Sequence, residues 1–536
     1  TMEKKIGVSV PLFSLRSARD FGIGEFPDLM KLADWCVSNN LKIIQLLPIN
    51  DTTAHFDWHD SYPYNAISAF ALNPVYLNLQ DLGVEENELF KDEQQQLNSL
   101  SFVDYPKVLK TKWKYLKIAF AQQWELLQND ECFKSFFAQN EDWLVPYADF
   151  CARRRDANNT TDVNRWSGHA GEGCCEFYYF LQFHCDKQLR EAVNYLHSKG
   201  IMLKGDLPIG VNPQGVDVYS HPDLFNCNAQ AGAPPDDFAE EGQNWGFPTY
   251  NWTAMKRDGF AWWRRRLQVM ARYFDAYRID HILGFFRIWE IPKGTKSGLL
   301  GHFNPALPLS ENEIEGYGFQ FDEEKHVIDD LETLFVRDPY QKDRFHPRIA
   351  LQKTDLYKTL DEKQKAAIDR LYDDFFYHRH NEFWKQSALE KLPIIIGATE
   401  MIACGEDLGM IPATVPEVMQ QLGIKSLEVE RMPKVFGRVT VQTEDVPMNS
   451  VFTTGTHDMP TLRAWLAENG ETPSSKSIKM VIDRIMDSPA CWNIFPIQDL
   501  LDTDENNWSA DPKDDQINVP ANAENHWKFR LKSGIF

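Results

Sequence analysis

The sequence contains no long hydrophobic run and no block of basic residues. Only a few apolar residues follow one another anywhere in the 536 positions, whereas a membrane-spanning helix needs about 20. The 78 acidic residues outnumber the 56 basic ones and give a formal net charge of −22, which disfavours nucleic acids and anionic membranes as partners. Neutral substrates remain compatible with this charge.

Cysteine is scarce and scattered: the nine residues include no C-x-x-C spacing, although Cys174 and Cys175 are adjacent. This pattern favours reduced, buried thiols over a disulfide framework or a zinc site, and we therefore predict a cytoplasmic protein. The N-terminus has no signal-peptide pattern. Thr1 precedes Met2, as in a tag remnant, so the natural protein can be longer at this end.

Eight short apolar runs alternate with helical patterns, as expected of parallel strands that are joined by helices. The predicted strands cover residues 6–11, 42–47, 201–206, 274–280, 401–405, 424–429, 450–454 and 492–497. Eight such units predict an α/β fold, namely a single (β/α)8 TIM barrel over 1–536 without a separate C-terminal domain. Two connections, 52–200 and 281–400, are too long for plain loops, and we expect them to be large helical insertions.

Carboxylates follow several of these strands, at the end where a parallel barrel builds its active site. Asp206 follows the third strand, Asp280 the fourth, Glu406 the fifth and Asp458 the seventh. Arg278 lies two residues before Asp280, hence on the same face, and we expect its charge to keep Asp280 ionised. Glu406 has no basic neighbour in sequence, and we expect burial and nearby carboxylates to raise its pKa.

Retaining glycoside chemistry needs two carboxyl groups about 5–5.5 Å apart, one ionised nucleophile and one protonated acid/base. Asp280 suits the first role and Glu406 the second, whereas Asp458, after His457, suits a third carboxylate that holds sugar hydroxyls and stabilises positive charge. A metal site is the alternative that an acidic barrel mouth leaves open. Because the mouth lacks a tight His/Asp cluster in sequence and Arg278 would repel a cation, we predict neither a metal nor a cofactor.

Segments spread over nearly the whole chain resemble, in order, those of the 4-α-glucanotransferases (amylomaltase or disproportionating enzyme), glycoside hydrolase family 77. They are SYPY at 61–64, SAFALNP at 68–74, GDLPIGV at 205–211, GAPPDDF at 232–238, GQNWGFPTYNW at 242–252, YRIDHILGFFRIWEIP at 277–292, CGEDLG at 404–409, GTHD at 455–458 and INVPA at 517–521. The separation of Asp280 from Glu406 is longer than in the compact bacterial amylomaltases, and the phrases at 61–72, 242–252 and 404–423 look closest to the plant cytosolic branch. That branch carries an insertion here and starch-binding modules ahead of the catalytic domain.

The resemblance implies a retaining transfer of glucosyl or 1,4-α-glucanosyl units from maltose or maltooligosaccharides to glycogen, another α-glucan or a sugar 4-hydroxyl. It implies that Asp280 is the nucleophile, Glu406 the acid/base and Asp458 the transition-state stabiliser. The residues that it places against the sugar chain are Tyr64, Asp206, Gln243, Trp245, Arg278 and His457. An α-glucan hydrolase of similar fold stays open, because the three carboxylates do not separate water from sugar as acceptor. A glucan-binding protein without activity is disfavoured, since none of the three is lost.

Overall fold

The barrel predicted from the sequence is the architecture of the computed structural model, which describes residues 2–156, 174–236, 239–295, 297–409, 411–522 and 524–536. Eight parallel strands, called strands one to eight below, are Lys5–Ser9, Ile43–Gln45, Met202–Leu207, Ala276–Ile279, Ile402–Gly405, Ser426–Val429, Ser450–Thr453 and Trp492–Pro496. Each lies within a few residues of its predicted position. The prediction of a (β/α)8 barrel with insertions is confirmed.

The order of strands in the sheet closes the barrel. Neighbours run five, four, three, two, one, eight, seven, six, so that strand one pairs with both strand two and strand eight. Strands five and six meet at a bridge between Cys404 and Lys425, where the Gly405 N–H donates to the Lys425 carbonyl at 2.9 Å. All eight strands are parallel to their neighbours, and their carboxyl ends therefore open on one common mouth.

Helices connect the strands and pack one apolar face on the core. In the first helix, for example, Leu29, Leu32 and Cys36 are fully buried at a helical spacing. The longer helices are Asp28–Ser38, Glu88–Asn98, Tyr105–Leu127, Glu131–Asp156, Cys174–Ser198, Ala261–Met270, Glu362–Tyr377, Asn381–Ile396, Thr414–Leu422 and Ser475–Met486. Shorter ones are Val216–Ser220, Trp252–Lys256, Glu311–Gly316, Glu323–His326, Asp355–Lys358, Leu462–Glu468 and Ile497–Leu501. Among the described helices, none combines the length and the apolar character that a bilayer-spanning segment requires.

The two long connections differ in structure. The described part of 52–200 is built mainly from helices, as predicted. The connection 281–400 carries helices as well, but it also contains short antiparallel strands that the sequence patterns did not predict: Ile288–Pro292, His302–Asn304, Phe335–Arg337 and Phe345–Pro347. It has a hydrophobic cluster of its own, which includes Phe319, Phe335 and Leu371.

One small sheet joins this insertion to the loop after strand three. Its four strands run in the order His302–Asn304, Ile288–Pro292, Ala229–Ala233, Gln243–Asn244. Main-chain hydrogen bonds therefore connect the insertion to the segment that carries Gln243 and Trp245, two of the residues predicted to contact substrate.

Candidate active site

Strands three, four and five place Asp206, Arg278, Asp280 and Glu406 side by side. The ladder pairs Asp206 with Arg278 directly, and it pairs Gly405 with Ile279. The residues that follow this last pair, Glu406 and Asp280, therefore leave neighbouring strands at the same level of the barrel mouth. No sequence motif was needed to predict this meeting, because carboxyl ends of adjacent parallel strands share one edge.

The Arg278 guanidinium contacts two carboxylates, those of Asp206 and Asp280. Its Nη1 lies 2.8 Å from Asp206 Oδ1 and 3.4 Å from Asp280 Oδ1, which confirms that Arg278 and Asp280 share a face. Burial opposes the charge of the guanidinium, but the surrounding carboxylates outweigh burial and keep the pKa of Arg278 well above its usual value. The shorter contact shows that Asp206, not Asp280, is the first partner of this cation.

The pKa of Asp280 is higher than its Arg278 neighbour led us to expect. Removal from water is the largest influence and raises the pKa of Asp280 to about 7; Arg278 lowers it, whereas Asp206, Glu406 and Asp458 raise it further. The side chain is 26% exposed, so water in the cleft offsets part of this desolvation. The expectation that Arg278 keeps Asp280 ionised is therefore wrong, because burial outweighs the nearby cation, which also pairs with Asp206.

Glu406 is held by main-chain N–H groups. Its Oε1 accepts a hydrogen bond from Leu408 at 2.8 Å, and its Oε2 accepts one from His281 at 3.1 Å. His281 has a φ of 51°, a left-handed turn directly after Asp280. Burial raises the pKa of Glu406 above its usual value, and Arg278 and the two N–H groups counter this only in part. The predicted direction of the shift is confirmed.

Asp458 lies in the turn after strand seven and is the open side of the cluster, with 46% of its side chain exposed. Its Oδ1 accepts a hydrogen bond from Asn518 Nδ2 at 2.7 Å and lies 3.4 Å from His457 Nε2. The Asn518 N–H also donates to the His457 carbonyl at 3.1 Å. Sequence reasoning did not assign Asn518 a role, although its INVPA segment was the signal that could have revealed it.

An aromatic wall borders the carboxylates. The buried Tyr64 donates its hydroxyl to Asp206 Oδ2 and stacks on His457, with 5.2 Å between the ring centroids and 19° between the planes. Trp527 lies against both rings, at 6.1 and 5.9 Å. Burial lowers the pKa of His457, so that its ring is neutral near pH 7. Trp527 was missed because it follows the last resembling segment and carries no motif of its own.

The loop after strand three reaches the same mouth from the other side. The Trp245 ring packs edge-on against His281, with 5.0 Å between centroids, and its Nε1 donates to Gln243 Oε1 at 2.9 Å. Gln243 is exposed and contacts Trp245. Contacts thus connect Gln243, Trp245, His281 and Glu406 on one side of the mouth, and Tyr64, Asp206, Arg278, Asp280, His457 and Asp458 on the other.

Comparisons with known proteins agree with this geometry. The family model of the 4-alpha-glucanotransferases matches residues 10–534. The 4-alpha-glucanotransferase DPE2 of Oryza sativa subsp. japonica is 37% identical and aligns with 98% of this chain and 67% of its own length. The 4-alpha-glucanotransferase of Chlamydia muridarum is 28% identical and aligns with 99% of this chain and 92% of its own length.

Among solved structures, the amylomaltase from Streptococcus agalactiae in complex with acarbose shares the fold, with a TM-score of 0.72 and 21% identity over 99% of this chain and 96% of that one. The amylomaltase from Corynebacterium glutamicum gives a TM-score of 0.63 at 20% identity, over 91% of this chain and 58% of that one. Because the family match extends over nearly all of the sequence, the chain belongs to the 4-α-glucanotransferases of glycoside hydrolase family 77.

Proposed function

We propose that this chain transfers glucosyl or 1,4-α-glucanosyl units by a retaining double displacement, with Asp280 as nucleophile and Glu406 as acid/base. The observation that supports this proposal is the register of strands four and five, which brings Glu406 and Asp280 out at one level. A retaining mechanism requires two carboxyl groups about 5–5.5 Å apart that flank the scissile bond, so that one attacks the anomeric carbon while the other protonates the leaving oxygen.

In the first displacement, the Glu406 carboxylic acid gives its proton to the glycosidic oxygen while the Asp280 carboxylate attacks the anomeric carbon. The C–O bond to the leaving sugar breaks, an ester bond to Asp280 forms, and the leaving sugar departs with a new hydroxyl group. Because Glu406 raises the pKa of Asp280, the two groups favour sharing one proton. Arg278 and the positive charge that develops at the anomeric carbon both favour the state in which Asp280 is the ionised partner.

In the second displacement, the Glu406 carboxylate takes the proton of an acceptor 4-hydroxyl, whose oxygen attacks the anomeric carbon. The ester bond breaks, and Asp280 is released as a carboxylate. Asp458 stabilises the positive charge of both transition states, since it is exposed to the cleft and its charge already acts on Asp280. Its hydrogen bond from Asn518 keeps it in place through both steps.

The remaining predicted residues bind the sugar. The Tyr64 ring offers an apolar face to the C–H face of a sugar in the −1 subsite, and Asp206, Arg278 and His457 surround it with charged or polar groups that hold hydroxyls. Trp245, through its contact with His281, and the exposed Gln243 are placed to cover the cleft. These positions support maltose and maltooligosaccharides as donors and glycogen or another α-glucan as acceptor.

Two further observations support the proposed substrates and the proposed cytoplasmic location. Neutral sugars fit a chain with a net charge of −22, and the solved amylomaltase from Streptococcus agalactiae carries acarbose. The cysteines that the structure describes in full carry free thiols, which supports our proposal of a cytoplasmic location.

The acid/base and nucleophile roles are tested with Asp280→Asn and Glu406→Gln, by measuring glucose release from maltose in the presence of glycogen. We expect both variants to lose the reaction, since neither amide can form the ester or exchange the proton. Glu400→Gln is the matched control, because Glu400 is exposed and lies only six residues before Glu406. Retention of more than a few per cent of activity by both variants would contradict the assignment.

Transfer and hydrolysis are separated by the products from maltotriose. A transferase gives a ladder of longer chains together with glucose, whereas a hydrolase only shortens its substrate. The difference depends on whether the cleft keeps water away from the Asp280 ester long enough for a sugar hydroxyl to react.

A further inference from the structure

A second cluster of titratable side chains lies in the insertion 281–400 and is separate from the residues assigned to the barrel mouth. Two antiparallel strand pairs each contribute one histidine and one carboxylate. Glu290 and His302 stand directly opposite each other in the first pair; in the second, His346 lies on one strand and Asp338 follows the other. All four residues are buried, with exposures of 0, 5, 1 and 5%, in that order.

Three of the four side chains bring their ligand atoms close together, and the fourth, Glu290, lies beside His302. His302 Nε2 lies 3.2 Å from Glu290 Oε2, and His346 Nε2 lies 2.8 Å from Asp338 Oδ1. One ligand atom each from His302, Asp338 and His346 falls within 4.8 Å of the other two, and the imidazole centroids are also 4.8 Å apart. The two strand pairs therefore present their histidines to each other with a carboxylate beside each.

Two buried imidazole nitrogens of this cluster lack a well-formed hydrogen bond within the described parts of the chain. His302 Nε2 lies 3.2 Å from Glu290 Oε2 without hydrogen-bond alignment, and His346 Nδ1 has no hydrogen-bond partner. A buried polar atom without a hydrogen bond is unusual in a folded protein and calls for a missing partner. A buried imidazole nitrogen beside a carboxylate and a second imidazole is a suitable metal ligand.

Hydrogen bonds from outside the cluster orient both carboxylates. Glu290 Oε1 accepts from Thr249 Oγ1 at 2.8 Å and from Asn304 Nδ2 at 2.7 Å, whereas Oε2 accepts from the Tyr340 hydroxyl at 3.0 Å and lies toward His302. Asp338 Oδ2 accepts the N–H groups of Tyr340 and Gln341 at 3.0 and 2.7 Å. Such outer contacts are the usual means of fixing metal-binding carboxylates, and they leave Asp338 Oδ1 toward His346.

We propose that His302, Asp338 and His346 bind one divalent transition-metal ion, with Glu290 beside His302. Two imidazoles and one carboxylate make a set of nitrogen and oxygen ligands that suits Zn²⁺, and Glu290 is the nearest further carboxylate for a fourth position. The ion would join the two strand pairs of the insertion.

The site also has a route to the barrel mouth. Strand 288–292, which carries Glu290, pairs with strand 229–233, and this strand pairs with 243–244. Thr249, seated just after Trp245 in sequence, hydrogen-bonds Glu290 directly. Metal binding would therefore stiffen the sheet that carries Gln243 and Trp245, and its loss would weaken donor binding more than the chemical step.

Metal binding is tested by titrating ZnCl₂ into the full chain after chelator treatment, with calorimetry and thermal unfolding as readouts. We expect one ion per chain and a rise in unfolding temperature of about 2 °C when free Zn²⁺ is a hundredfold above its Kd. CoCl₂ serves as a spectroscopic probe and should give visible absorption bands from a nitrogen- and oxygen-ligated ion. Neither readout depends on the proposed transferase function.

Substitutions of the proposed ligands test whether the ion binds at these residues. His302→Ala and His346→Ala should each weaken Zn²⁺ binding at least about tenfold, in line with the loss of one ligand and its outer contacts. His302→Gln and Asp338→Asn serve the same purpose if an alanine variant does not fold. His378→Ala is the matched control, because His378 belongs to the same insertion but its side chain is 64% exposed.

The proposal is overturned if wild-type protein shows no saturable uptake of Zn²⁺ or Co²⁺, or if the ligand variants bind the ion as wild type does. In that case the four residues form a hydrogen-bonded buried cluster only. If metal-free protein carries out the transfer reaction unchanged, the proposed function stands. If the protein binds the ion normally but does not carry out the transfer, only the proposed function is contradicted.

Discussion

The barrel mouth and the His/carboxylate cluster of the insertion treat buried carboxylates in opposite ways. At the mouth, burial dominates and the pKa values of Asp280 and Glu406 are raised. In the insertion burial also opposes ionisation, but neighbouring histidines and hydrogen-bond donors keep the pKa values of Glu290 and Asp338 below their usual range. The difference lies in the number of partners. Glu290 and Asp338 each have an imidazole and several donors, whereas Asp280 shares Arg278 with another carboxylate.

This contrast separates a reactive site from a structural one. A buried carboxylate whose negative charge is not fully compensated is stabilised when a positive charge develops nearby. A sugar supplies such a charge at its anomeric carbon in the transition state. Carboxylates that have imidazole and hydrogen-bond partners of their own are better suited to fixing the chain. On the proposed mechanism, the incomplete compensation at Asp280 serves its chemistry at a cost in stability of the fold.

The largest effect is expected from removing the cation that the mouth shares. Arg278→Met should lower the transfer rate by about 10²–10³-fold, because Asp206 and Asp280 then lose their common partner. The pKa of Asp280 should rise further, which moves the acid side of the pH–rate profile to higher pH. Arg278→Lys, which keeps the charge but not the planar fork, is the matched control and should recover part of the rate. If Arg278→Met lowers the transfer rate by less than tenfold, the contrast between the barrel mouth and the insertion is contradicted.

In the insertion, removing a charged partner should lower the stability of the fold. Glu290→Gln leaves His302 and the surrounding donors without their charged partner and should lower the free energy of unfolding by roughly 3 kcal/mol. Asp280→Asn, by contrast, removes a poorly compensated charge and should not destabilise the protein at pH 8. Chemical denaturation of both variants measures the difference directly. Equal losses of stability would show that the two regions do not differ.

The pH dependence of stability sharpens the contrast. The pKa of Asp280 in the folded chain is raised to about 7, above a value of about 3.9 in the unfolded chain. The folded protein therefore binds the proton more tightly, and Asp280 costs stability progressively as the pH rises from about 4 to about 7. The advantage of Asp280→Asn in unfolding temperature over wild type should grow across this window and then stay constant. The same advantage at pH 5 and pH 8 would contradict the raised pKa.

The smallest effect is expected from a hydrogen bond at the edge of the mouth. Tyr64→Phe keeps the ring that stacks on His457 but removes the donor to Asp206, and kcat/KM should fall about tenfold. Tyr62→Phe is a fitting control, because Tyr62 lies 6.1 Å from Tyr64 by ring centroids and keeps its own ring in the same wall. A loss above a thousandfold would give Tyr64 a direct part in the chemical steps.

Most of the barrel could be predicted from the sequence because strand spacing and apolar runs are local signals. The same signals placed Asp280 and Glu406 at strand ends, and parallel topology then required them to meet. The pKa of Asp280 could not be predicted in this way. It depends first on how deeply the folded cleft buries Asp280, and then on Arg278 and on Asp206, which becomes a neighbour only when strands three and four pair.

The insertion was harder to predict for a similar reason. Its strands are three to five residues long, too short for a reliable alternation of apolar and polar positions. His302 and His346 are far apart in sequence and match no metal-binding spacing, so their meeting depends on how two strand pairs pack. Asn518 and Trp527 likewise reach the mouth from the C-terminal segment through tertiary contacts alone.

The most direct test of Asp280 as nucleophile uses the Glu406→Gln variant with α-maltosyl fluoride as donor. Fluoride leaves without a proton from residue 406, so the ester can form, but without a base its transfer to an acceptor should be slow. We predict that mass spectrometry of the intact protein and its peptides finds one maltosyl group on the peptide that contains Asp280. A label on another residue, or turnover of the fluoride with no label while the anomeric configuration is inverted, would contradict a double displacement at Asp280.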